Sequence, residues 1–141
     1  MSASPVPPQP AGNSGPPRSA AAATALREFL QAVEAPTSSG VALGNWRWTV
    51  RQRMAAVREV LVREYDVPED GWLNARRAAM LRERTALLMR MSDLGPRILE
   101  EHDVSHVRAD LLRLLGDVSH HLQRLRDLAY DEVEMELGGS E

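Results

Sequence analysis

Apolar residues recur along this chain at spacings of three and four and nowhere alternate as in a half-buried strand, so the pattern predicts helices throughout. Leu26, Phe29, Leu30 and Val33 make one stripe of a short helix over residues 20–34, with Ser19 placed to cap it and Pro36 to stop it. Trp46, Val50, Met54, Val57, Leu61 and Tyr65 line one face of a second helix over 45–65, with Asn45 as its cap. Leu73, Met80, Leu87 and Leu94 repeat every seven residues in a third helix over 72–99, and Met91 and Ile98 fill the complementary positions. Gly95-Pro96 falls inside that helix; Pro96 has no N–H and its ring presses on the preceding turn, which predicts a kink or a break there. Val107, Leu111, Leu114, Leu115, Val118, Leu122, Leu125, Leu128 and Val133 form the stripe of a fourth helix over 104–137, with Asp103 as its N-cap and Gly138-Gly139 as its end.

The stretches between the helices carry breaker chemistry: TSSGVALG over 37–44 and DVPEDG over 66–71. The expected fold class is therefore all-α: a small helical bundle over 20–137, built on a long antiparallel hairpin of the third and fourth helices with the second packed against it. Residues 1–19 are Pro-, Ala-, Gly- and Ser-rich with Val6 as their one large aliphatic, a composition that predicts a disordered tail. Pro5 to Pro8 gives it a PxxP-like spacing suited to polyproline II. Residues 138–141 read as a short free tail.

Composition narrows the function. At 141 residues there is one domain's worth of chain. The absence of Cys removes a disulfide scaffold, a cysteine-ligated zinc and a thiol nucleophile. No apolar run approaches the ~18 residues of a membrane span. No secretory signal is recognisable, and together with the lack of Cys this sets the cytoplasm as the expected location. All 17 basic residues are Arg, which reads as codon usage rather than selection for guanidinium groups.

Charge is unevenly spread: residues 46–90 hold ten Arg against six acids, and residues 91–141 hold five Arg against twelve acids. An antiparallel hairpin accounts for this, because Arg76, Arg77, Arg82 and Arg84 then lie beside Asp127, Asp131, Glu132, Glu134 and Glu136. Within the heptad seam, however, Arg77 and Arg84 occupy positions where the pattern calls for apolar residues. With the hairpin turning near Glu101-His102, Arg84 is expected to face Asp117 and His121, and Arg77 to face Leu128 and Asp131. Arg84, Asp117 and His121 are thus a candidate ligand-binding group, with an internal ion pair as the structural alternative.

A second candidate is NWRWTVRQR over 45–53, where Arg47, Trp48 and Arg51 combine basic and aromatic character and Trp46 belongs to the apolar stripe. The third is the acidic end, with Glu132, Glu134, Glu136 and Glu141 available to a partner. Within it, Tyr130 and Glu134 resemble the Tyr-x-x-x-Asp/Glu signal of type VII secretion substrates; Tyr65 and Glu69 fit equally, and that family's Trp-x-Gly turn is missing. His102, His106 and Asp110, like Asp117 and His121, fall four apart, yet the inward positions of the second and third helices offer no Glu, Asp or His, so no metal and no cofactor are expected. No nucleophile motif or phosphate loop is present.

These features point to a non-catalytic helical interaction or adaptor module, self-associating or bound to another protein. Its contacts would be Arg47, Trp48 and Arg51 on one side and Glu132, Glu134, Glu136 and Glu141 on the other. The alternatives are a small-ligand or metal-binding bundle centred on Arg84, Asp117 and His121, and a weak nucleic-acid binder working through Trp48, Arg47 and Arg51. A membrane partner is not expected.

Overall fold

The computed structural model describes the backbone of residues 18–63 and 74–138, and side chains over 20–63 and 75–131. Four helices and no strands are found among them: α1 (Arg18–Glu34), α2 (Gly40–Arg63), α3 (Asn74–Glu100) and α4 (Val104–Gly138). The chain is all-α. The expected disordered segment falls almost wholly outside the described residues, as do Tyr65, Trp72, Leu73 and Gly139–Glu141.

Each helix packs against its neighbour in sequence, and α1 closes the ring against α4; α1 and α3, like α2 and α4, stand diagonally across the core. A single apolar cluster fills the centre, with Phe29 and Val33 from α1, Val50, Val57 and Leu61 from α2, Leu94 and Ile98 from α3, and Leu111, Leu114 and Val118 from α4. On α1 the face is rotated from the expected one. Ala22 and Ala32 are buried beside Phe29 and Val33, whereas Leu30 is exposed. Small Ala side chains therefore occupy part of the core-facing side of this short helix, and Leu30 is left exposed.

The cap of α2 also differs from expectation. The helix begins at Gly40, not Asn45, because Ser39 supplies the cap: its Oγ accepts from Ala42 N at 3.0 Å, and its carbonyl accepts from Leu43 N at 2.8 Å. Leu43 packs on the core, and that contact together with the cap outweighs the helix cost of Gly40 and Gly44. Likewise α1 already includes Ser19, so Ser19 is not its cap. Asp103 does cap α4, its Oδ1 accepting from His106 N at 3.1 Å.

α3 runs unbroken through Pro96. Pro96 lies on the exposed side of the helix, where water can take up the hydrogen bond the ring removes.

Ion pairs fix how α3 and α4 lie together. Starting at the turn, Arg97 meets Asp110 at 2.7 Å, Arg90 meets Asp117 at 2.6 Å, Glu83 meets Arg124 at 2.6 Å and Arg76 meets Asp131 at 2.9 Å. Each step of seven residues back along α3 matches a step of seven forward along α4, so the two helices run antiparallel in one register. Such partly exposed pairs are worth about 0.2–1 kcal/mol each; their larger effect is to penalise other registers.

Gly116 lies within α4 and faces solvent, and a Cβ added there meets nothing within 4 Å. Gly116→Ala is expected to stabilise the fold by about 0.5–1 kcal/mol, because Ala loses less backbone entropy on entering a helix. Chemical denaturation of the two proteins measures this directly.

Candidate functional site

The structure does not gather Arg84, Asp117 and His121 into one site. Asp117 pairs with Arg90. His121 is 0% exposed, and its Nδ1–H donates to Glu83 Oε1 at 2.7 Å. Arg124 reaches the same oxygen with Nε and Nη2, at 3.2 and 2.6 Å. Arg84 is half-buried, and no ion pair joins it to Asp117. For His121 and Asp131 the partner is the residue just before the expected one on α3, Glu83 in place of Arg84 and Arg76 in place of Arg77, whereas Asp117 meets Arg90, six residues beyond Arg84. One residue turns a helix by about 100°, enough to exchange one set of partners for another. The imidazole is thus fully enclosed and already bonded to a carboxylate, a polar contact between α3 and α4.

The Arg47–Arg51 segment divides just as sharply. Trp46 is 3% exposed, its Nε1–H donates to Val33 O at 3.1 Å, and the Arg108 guanidinium lies 5.5 Å from its ring centroid. Arg108 also donates to Ala35 O at 3.0 Å. Between them these two side chains satisfy carbonyls at the C-terminal end of α1, which the helix itself cannot bond. Arg47 does the same for α3, donating to Ile98 O and Glu101 O at 2.7 Å each. Its expected role at an outer contact is therefore corrected: its guanidinium is spent within the fold, where the partial negative charge of a helix C-terminus favours a cation. Arg108 was not singled out in the sequence, because nothing along α4 marks it as the partner of a distant helix end.

Trp48 is 65% exposed, and it is not alone: Val41 is 78% and Val62 51% exposed, with exposed Ala55 between them. Val41, Trp48, Ala55 and Val62 are seven residues apart and so share one face of α2, with Gly44 and Asn45, Arg51 and Gln52, and Arg58 and Glu59 on the turns between them. The buried face of the same helix is Trp46, Val50, Met54, Val57 and Leu61, roughly half a turn round by the ~100° per residue of a helix. The stripe thus points directly away from the core. A helix start at Asn45 leaves Val41 out, and that is why the sequence showed only its Trp48 portion. Arg51 and Arg58, each three residues beyond an apolar member, border the stripe and are exposed, with no ion pair among the described residues. The other cations of α2 are engaged, Arg53 with Glu28 at 3.0 Å and Arg63 with Glu59 at 3.4 Å.

Comparison with protein-family models, with curated proteins and with solved structures finds no match.

At the α3–α4 turn, Arg97, Glu101, His106, Asp110 and Arg113 form one ion-pair cluster. Arg97 Nε is 2.9 Å from Glu101, His106 Nδ1 is 2.8 Å from the same carboxylate, and Arg113 is 2.7 Å from Asp110. No group of three or more metal-ligating side chains is found among the described residues. The hydrogen bond from Arg97, followed by that from His106, holds the Glu101 carboxyl below its usual range, and Arg97 does the same for Asp110. For Glu83, burial pushes the carboxyl up, but the hydrogen bonds from Arg124 and His121 outweigh it and the net direction is down.

All three carboxyls therefore titrate below their unfolded values of about 4.3 for Glu and 3.9 for Asp. The stability they contribute is complete above those values and is lost as pH falls through the lower, folded ones. Thermal midpoints measured between about pH 6 and pH 3 should fall on the acid side. Arg97→Gln should flatten that acid limb, since it removes the first cause of the shift at both Glu101 and Asp110.

The acidic candidates are only partly visible. α4 continues as helix through Glu132, Glu134 and Glu136, but their side chains, and the whole of Glu141, lie outside the described residues. No helix among the described residues is long and apolar enough to cross a membrane.

Proposed function

We propose that the protein is a non-catalytic helical interaction module that binds a protein partner through the outward face of α2. The observation that carries this is the exposed apolar stripe Val41–Trp48–Ala55–Val62, set opposite the core and centred on a largely exposed tryptophan. Scattered exposed apolar side chains are ordinary, whereas four that recur on one helix face give a partner an apolar line to pack against. Trp and Arg are the residues most enriched among those that dominate binding energy, and Trp48 with Arg51 and Arg58 supplies both. Spacing by seven on a straight helix suits a second helix lying along it.

The cations of α2 argue for protein over nucleic acid as the partner. Three of its five Arg are engaged within the fold, which leaves Arg51 and Arg58. A phosphate-backbone binder relies on many more contacts, and its affinity falls steeply with salt. The absence of cysteine supports the cytoplasm as the place of action.

A photoreactive amino acid at position 48 tests the proposal in the producing cell. Irradiation should join the protein covalently to another polypeptide, and the same probe at exposed Ser119 on α4 should give far less product. Equal yields from the two positions, or none from position 48, would count against the α2 face.

A further inference from the structure

We infer that the α2 face receives the acidic end of α4 from a second copy of this chain; the inference rests on the reading of α2 as a partner surface. The α2 stripe needs an occupant that is helical, apolar at seven-residue spacing and acidic, to meet Arg51 and Arg58. The chain itself carries such a segment. From Asp127 to Glu141 it holds six acids and no base. Tyr130 and Leu137 are seven apart with Val133 between them, the step that separates Trp48 from Ala55. Helix α4 continues through this segment to Gly138, and Tyr130 is 70% exposed among the described residues. A segment whose sequence interleaves Tyr130, Val133 and Leu137 with Glu132, Glu134 and Glu136 complements a face that carries Trp48, Arg51 and Arg58 in both surface type and charge.

The contact must form between molecules. α2 and α4 stand diagonally across the core, and the stripe points away from that core, so a chain's own α4 cannot reach it. Pairing α2 with α2 of a second copy is disfavoured, because it would bring Arg51 and Arg58 against the same cations. A two-fold arrangement repeats the helix-end contact twice, which brings a short contact closer to the ~1,200–2,000 Å² of a specific interface.

Sedimentation equilibrium of the full-length protein is the test, run at low salt and at about 0.5 M salt, where the Debye length is short. The parent should associate as its concentration rises, and more weakly in high salt. Trp48→Ala should weaken association about tenfold or more. The double variant Arg51→Glu/Arg58→Glu and the triple variant Glu132→Arg/Glu134→Arg/Glu136→Arg should each be monomeric alone, with thermal midpoints near the parent's. An equimolar mixture of the two should associate, because the charges are again complementary across the contact. A parent that stays monomeric overturns the inference, as does association that survives reversal of the tail charges. If that surviving association is still lost in Trp48→Ala, α2 binds a different surface: the inference fails and the proposed function stands. If it survives both changes, both fail.

Discussion

Trp46→Ala is expected to destabilise the fold by about 3–5 kcal/mol, the usual cost of truncating a buried Trp. Three losses combine at this position. The indole is almost wholly buried in the cluster that joins all four helices. Its N–H satisfies Val33 O, which would be left beside a void. Arg108, whose Nε is buried without a hydrogen-bond partner, would lose the aromatic face beneath it. For a chain of this size the thermal midpoint should drop by about 10–20 °C. Trp46→Phe keeps much of the packing and should cost clearly less, which separates the hydrogen bond from the volume. A loss no larger than that of an exposed substitution would show that the α1–α2 contact is not organised around Trp46.

Arg47→Met should cost about 2–3 kcal/mol, because two charge-assisted hydrogen bonds to carbonyls at the end of α3 are lost while the aliphatic stem is largely kept. Arg51→Met, four residues on and exposed, should change stability by less than about 0.5 kcal/mol. Denaturant titrations of the two variants compare them under identical conditions. Equal effects would mean that Arg47 does not hold the end of α3 as described.

These pairs of neighbours also mark how far the sequence could be read. The number and kind of helices, the buried stripe of α2 and the Asp103 cap all follow from local periodicity and capping chemistry, which a single chain displays. Trp46 could be assigned to the core because it lies in phase with Val50, Met54 and Val57. Arg47 could not be assigned, since its partners are carbonyls about fifty residues away and no local pattern encodes them. The pairing expected of Arg84 with Asp117 and His121 differs from the pairs observed for a related reason. Heptad spacing fixes which face of α3 meets α4, but neighbouring residues straddle that face, and Glu83 rather than Arg84 turned out to meet His121. The repeat of Arg76, Glu83, Arg90 and Arg97 against Asp131, Arg124, Asp117 and Asp110 was present in the sequence as matched seven-residue series. It becomes legible only once the register is known. The outer stripe of α2 was hidden by the early helix start, which depends on Ser39 and on the packing of Leu43.

Two tryptophans two residues apart on one helix have opposite surroundings, Trp46 inside the fold and Trp48 exposed on the face proposed to meet a partner. Fluorine NMR of protein containing 5-fluorotryptophan, with resonances assigned through Trp46→Phe and Trp48→Phe, reports on both at once. Spectra would be taken in dilute buffer and in concentrated lysate of the producing host, each in light and heavy water. In buffer, the Trp48 resonance should carry the solvent isotope shift of an exposed indole and that of Trp46 should carry almost none. In lysate the Trp48 resonance should move and lose that shift while Trp46 stays in place. A Trp48 resonance that remains solvent-exposed and unmoved in both would contradict the account.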